Sequence, residues 1–261
     1  MSLEISLLTE QDIPGAVECI QRAFEGDPYF LWVFDDQAKF SKKRNVASLH
    51  ARCQWGINNA LFYVAKQPIP APEEDDNDED MAVTEDQSKN QDQQKTKKRA
   101  VSSSSSRVVG VSMWLPPHPA SELESWHSYF QSWILSFRQM LCNIRFLGRG
   151  GLNLKRYWIW KECQERAQRE VWTDPRGYYF CNVLAVLPGC QGKGIGRKLM
   201  DVVMRQADVE DAKCYLESSK GVPNVEIYGR MGFKTMSEMD CADGDVVCRL
   251  YCMVREPKLL N

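Results

Sequence analysis

VLAVLPGCQGKGIGRKLM, residues 183–200, starts apolar, breaks at Pro188-Gly189, and then places glycines at 189, 192, 194 and 196 among Lys193, Arg197 and Lys198. Ile195, Leu199, Val202 and Val203 follow at helical spacing. The stretch reads as a strand, a glycine loop and a helix. Three phosphate-holding loops compete for it. A nucleotide-binding loop of the form G-x-x-x-x-G-K-[ST] fits Gly189 and Gly194, but Ile195 stands where its lysine must be. A dinucleotide fingerprint fits Gly192 and Gly194 but meets Arg197 at its third glycine. The pattern [QR]-x-x-G-x-[GA] is filled by Gln191, Gly194 and Gly196. Glycines there let the backbone approach an anion, successive N–H groups converge, and the helix start adds partial positive charge. Such a nest suits a pyrophosphate, with Lys193 and Arg197 at its rim.

The rest of the chain alternates between the two regular structures. Strands are predicted at Leu3–Leu8, Leu61–Lys66, Arg107–Leu115, Tyr178–Leu187, Lys213–Glu217, Phe233–Met239 and Val246–Arg255. Helices are predicted from Thr9 to about Glu25, over Ala38–Asn58, from Gly194 onward and over Pro223–Met231, with Gly232 as a stop. A helical region rich in Trp, Phe and Arg covers 121–171 and is read as a possible lid over an acceptor site. Residues 68–106 run from PIPAPEEDDNDED to SSSSS and offer almost nothing to bury, so they are read as a disordered insertion inside one domain, 1–261. The whole is an α/β chain built on a central sheet.

Composition excludes several classes. A net charge of −2 gives no general pull toward nucleic acid. The opening MSLEISLLTEQDIPG lacks the marks of a signal peptide, and no apolar run suits a bilayer span. The 10 cysteines contain no C-x-x-C pair and the 3 histidines lie apart from them, so we expect reduced thiols, no metal and a cytoplasmic setting. Arg138, Arg145, Arg149 and Lys155 form a basic amphipathic face, a minor option for contact with a membrane surface but not for insertion.

Four stretches carry a resemblance to a known family: VSMWLPP at 111–117, the strand and loop at 178–199, YLESS through GF at 215–233, and YCMVREP at 251–257. Together they resemble the GNAT (GCN5-related N-acetyltransferase) superfamily, most nearly its puromycin N-acetyltransferase type. The resemblance implies a twisted, mostly antiparallel sheet with one splayed parallel pair and helices on both faces. It implies acetyl-CoA as co-substrate. Leu184, Ala185 and Val186 would then meet the pantetheine arm, and Gln191, Gly192, Lys193, Gly194, Ile195, Gly196 and Arg197 the pyrophosphate. Tyr228 would face the coenzyme sulfur as general acid. Asn224, four residues before Tyr228, fits the puromycin-type pattern for a pantetheine contact, whereas Gly221 stands where many members have Asn.

Acetyl transfer also needs a group to deprotonate the acceptor amine. Glu217, leaving its strand, is a candidate base or acceptor contact, with a strand-end hydrogen bond as the alternative. Asp27, in EGDPYF, is a candidate lining residue of the acceptor pocket, with a helix cap as the alternative. Trp114 is a candidate aromatic wall, or a core side chain. Tyr228 itself could be a packed core tyrosine. The reading is direct acetyl transfer to a small-molecule amine; a protein lysine or N-terminal acetyltransferase and a non-catalytic acyl-CoA sensor stay open beside it.

Overall fold

A computed structural model describes residues 3–68, 106–119 and 126–258. Seven strands form one sheet in the order β1-β2-β3-β4-β5-β7-β6. They are β1 (Glu4–Leu7), β2 (Leu61–Pro68), β3 (Ser106–Leu115), β4 (Tyr178–Val186), β5 (Lys213–Ser218), β6 (Lys234–Asp243) and β7 (Val246–Arg255). Every neighbouring pair is antiparallel except β4 with β5. This is the mixed sheet expected. Of the insertion read as 68–106, residues 69–105 lie outside the described residues, and its end residues, Pro68 and Ser106, belong instead to the paired strands β2 and β3.

Helices cover both faces. α1 (Ile13–Ala23), α2 (Pro28–Val33), α3 (Lys42–Asn59), α4 (Trp126–Arg145) and α5 (Leu154–Val171) precede β4; α6 (Ile195–Val209) and α7 (Asn224–Gly229) follow it. α1 packs Ile13, Val17 and Ile20 against Val64, Val108 and Val111. α5 and α2 cover Tyr178, Phe180 and Tyr215. Alternate residues of the same strands, Tyr179, Cys214 and Leu216, meet Met200, Val203 and Met204 of α6, so α5 and α6 lie on opposite sheet faces. Close approach of α6 depends on Gly110, where a Cβ would stand 2.9 Å from Ile195 Cγ2 and 3.1 Å from Leu199 Cδ1.

Three elements differ from the sequence expectation. The first helix opens as a 3-10 turn, Glu10–Asp12, because Thr9 donates both its N–H and its hydroxyl to Asp12 Oδ2. DPYFLWV holds a short helix rather than a turn alone, since Pro28 sits at its first position and Asp27 caps it. The described part of the 121–171 region, 126–171, holds two helices. They are separated by a turn in which Leu147, Gly148, Gly150 and Gly151 all have positive φ. The ten cysteines are unbridged. Among the described residues no helix is long and apolar enough to cross a membrane, and no group of three His, Cys, Asp or Glu is placed to hold a metal.

The far end of α6 is tied to the sheet by a buried ion pair, Arg255 Nη2 to Asp208 Oδ2 at 2.7 Å, and Asp208 also accepts from Lys258 N–H. Burial alone would raise the Asp208 carboxyl; the Arg255 and Lys258 bonds outweigh it and hold it below its ordinary value. Asp208→Asn should therefore cost about 3 kcal/mol near neutral pH, because it leaves a buried guanidinium uncompensated. The carboxylate's contribution is present above its unfolded value of 3.8 and is lost as pH falls through the depressed folded value. Urea unfolding of the two proteins should show the gap at neutral pH and its closure in acid.

Candidate active site

The site starts where pairing stops. β4 and β5 are in register only from Tyr178–Lys213 to Cys181–Leu216. Beyond that point they separate. The cause is visible on the other edge of β4: the register to β3 runs Met113↔Val183 and then Trp114↔Cys181, so Asn182 is an extra residue, a bulge. Leu187 N–H donates to Val109 O of β3 at 2.9 Å. Backbone groups alternate sides along a strand, so those of Leu184 and Val186 point away from β3, into the gap beside β5. The Val186 carbonyl there accepts from Gln191 Nε2 at 3.1 Å. Ala185 instead faces the protein, its carbonyl taking the Cys19 thiol.

The glycine loop closes one end of this gap. Gly192 and Gly194 have φ of +76° and +74°, and a Cβ at Gly189, Gly192 or Gly194 would meet nothing within 4 Å. Gly194 caps α6, whose first internal bond runs from Lys198 N–H to Gly194 O. The N–H groups of Ile195, Gly196 and Arg197 therefore have no partner within the helix. Ile195 buries its side chain in the core and offers the loop only its backbone. Lys193 Nζ donates to Gly189 O, and Arg197 leans toward α7, donating to Arg230 O at 3.4 Å. A Cβ at Gly196 would come within 3.7 Å of Val186 and 3.9 Å of Leu184, so loop and gap are one continuous surface.

Tyr228 lies on α7, half-buried against the Cys181, Met200 and Leu216 cluster, with its ring edge-on to Phe233. Burial raises its hydroxyl, and the neighbouring Cys181 and Asp27 raise it further. The phenol is thus neutral at physiological pH and a proton donor. Asn224 begins the same helix, half-buried.

Glu217 points to the opposite face of β5. Its carboxylate accepts from Gln164 Nε2 at 2.8 Å, Tyr215 OH at 2.9 Å and Gln168 Nε2 at 3.4 Å. Burial raises its pKa, and these donors together with Lys161 oppose the rise. Asp27 is 6% exposed. Oδ1 accepts from Tyr29 and Phe30 N–H at 3.0 and 3.3 Å, and Oδ2 accepts from Ser219 OH at 2.5 Å. Ser219 in turn lines an open cleft of about 350 Å³ with Pro28, Trp32, Arg156, Gly221 and Tyr251. Asp27 is accordingly both a helix cap and a neighbour of this cleft.

Trp114 requires a correction. It is 0% exposed, packed with Met200, Leu216 and Met253 beneath α6, on the sheet face away from Glu217. It is a core side chain, not a pocket wall. The sequence reading missed Gln164, Gln168, Tyr215 and Ser219. Tyr215 sits two residues before Glu217 on one strand face, and Gln164 and Gln168 are four apart on one helix face; Ser219 follows just past the strand's end. Those spacings were available; which helix would cover Glu217 was not.

Comparison with known proteins agrees with this geometry. Residues 154–235 match the acetyltransferase (GNAT) domain family. A stretch of 136 residues, 49% of the chain, is 26% identical to an uncharacterized N-acetyltransferase of Schizosaccharomyces pombe. The chain spans 57% of that protein's length. In overall fold it is similar to a crystal structure described as histone acetyltransferase HPA2 and related acetyltransferase from Corynebacterium glutamicum. That likeness has a TM-score of 0.53 at 17% identity, covering 100% of this chain and 99% of the other. The segment that matches the acetyltransferase (GNAT) domain, 154–235, contains both the splayed strand pair and the glycine loop that closes it.

Proposed function

We propose that the protein transfers an acetyl group from acetyl-CoA to the amine of a small-molecule acceptor, by direct attack. One observation carries the reading: the backbone of Leu184 and Val186, unpaired with β5, runs without a break into the glycine loop at the head of α6. A linear molecule with amide groups along it and phosphates at one end matches that surface. The amides pair with the strand as another strand would, and the phosphates meet Gly192 to Arg197. Acetyl-CoA supplies an activated thioester. The residues here orient it and manage protons.

Tyr228 holds the proton for the departing sulfur at its hydroxyl, kept neutral by burial. Glu217 takes the proton of the acceptor amine, directly or through a water. Its raised affinity for a proton suits a base, and Gln164 and Tyr215 fix its orientation. Asp27 and Ser219 face the acceptor side beside the cleft, whose volume suits a small ligand. The unbridged cysteines fit a reducing compartment, and we place the activity in the cytoplasm.

Titration calorimetry with acetyl-CoA tests the first step. Wild type should bind, and Gly194→Asp, which sets a carboxylate at the mouth of the anion nest, should bind at least about tenfold more weakly while keeping its fold. Failure of the wild type to bind would remove the reading.

The proton steps have their own test. The rate should rise with pH along a limb that lies above the ordinary glutamate value of 4.5, since the base must be ionised and burial raises Glu217. Glu217→Gln should abolish that limb and lower the rate by about 10² or more. Gln164→Leu removes a bond that favours the ionised form, so the limb should move to higher pH. Tyr228→Phe should lower kcat by about 10² with little change in coenzyme affinity. A pH–rate profile for each variant separates these outcomes.

A further inference from the structure

α4 is turned inside out. Its contact with α3 is made largely by hydrogen bonds: Arg44 Nη2 to Asn143 Oδ1 at 2.7 Å, Ser48 OH to Gln139 Oε1 at 2.8 Å, and Arg138 Nη1 to Gln54 Oε1 at 3.0 Å. Five of its large apolar side chains point the other way. Trp133, Phe137, Met140, Leu141 and Ile144 recur at helical steps on the exposed side, and Leu147 continues the stripe into the turn. Trp133 is 60% exposed, Ile144 63% and Leu147 98%. Trp133 and Phe137 stack on one another, centroids 6.1 Å apart. A surface helix normally presents the reverse arrangement, and a contiguous exposed apolar stripe marks a contact surface.

Charge identifies what the surface meets. From residue 126 to residue 161 the sequence holds Arg138, Arg145, Arg149, Lys155, Arg156 and Lys161 but no Asp or Glu, in a chain whose net charge is −2. The turn after α4 meets the start of α3, where Ser41 N–H donates to Gly150 O at 3.2 Å. This brings Lys42 and Lys43 beside Arg145 and Arg149, all four exposed, around the end of the apolar stripe. A second copy docked through α4 would set one acid-free helix against another and leave these cations unpaired. An anionic bilayer supplies both an apolar layer for the stripe and headgroup charge for the cations.

We propose that the outer face of α4, with the basic turn at its end, binds the surface of an anionic membrane peripherally. The proposal does not depend on the acetyl-transfer reading. The test is co-sedimentation of the full chain with vesicles of phosphatidylcholine alone or mixed with phosphatidylserine. Binding should be at least about tenfold stronger to the mixed vesicles at low salt and fall steeply as salt rises. R145E/R149E should remove the preference for phosphatidylserine. W133S/F137S/I144S should weaken binding to both vesicles; all five positions are exposed, and circular dichroism checks that each variant folds. Absence of sedimentation, equal binding to both vesicles, or binding unchanged in the two variants overturns the proposal. So does a dimer, seen by light scattering, that the triple variant dissolves without any vesicle binding.

Discussion

Four residues of parallel pairing between β4 and β5, and no more, set the conditions for everything at this site. A parallel pair buried under helices would normally run on. Here Asn182 adds one residue against β3, the strand bends, and Leu184 and Val186 are left with polar backbone groups facing a gap. Buried backbone groups demand partners, so the bulge creates a strand-shaped vacancy in hydrogen bonding that an extended, amide-bearing molecule can fill. Tyr228 packs on the α6 side of the sheet, and Asp27 caps α2, which covers the other side.

The other elements hold this opening in shape. α6 can lie close enough to present its first turn to the gap because Gly110 has no side chain beneath Ile195 and Leu199. Its far end is anchored by Asp208 and Arg255. The helix is thus fixed at both ends, and the N–H groups at its head keep their aim without help from the exposed side chains of the loop. On the other face α5 lies across β6 and lowers Gln164 and Gln168 onto Glu217.

Local chemistry made part of this legible in advance. The glycines at 192 and 194 were readable because only a residue without a Cβ adopts positive φ freely, and both do so. The strand–loop–helix order around them followed from an apolar run ended by Pro188-Gly189 and from helical spacing after the loop. What stayed hidden depended on register. Alternation along β3 says that Trp114 and Met113 face opposite ways, but the face given to each follows from the shifts between Lys66 and Ala65 and at Asn182, which no local pattern encodes. The partners of Glu217 were hidden for a similar reason, since Gln164 lies 53 residues away and meets it only after α5 docks. The helix after Asp27 was a different kind of miss. Six residues are too few to show a periodicity, so its capping aspartate and first-position proline read equally well as a turn.

Asp27 and Glu217 are held in different ways, as their hydrogen bonds show. Asp27 Oδ1 is committed to the backbone of α2, where it satisfies Tyr29 and Phe30 N–H. Oδ2 is held by Ser219, which also lines the cleft. Asp27 is therefore tied to the fold through both of its oxygens. Glu217 caps nothing. Its partners are side-chain amides and a phenol, and amides can rotate to accept where they had donated when the carboxyl gains a proton. Burial already favours that neutral form. Backbone donors hold one carboxylate, and side chains free to turn hold the other.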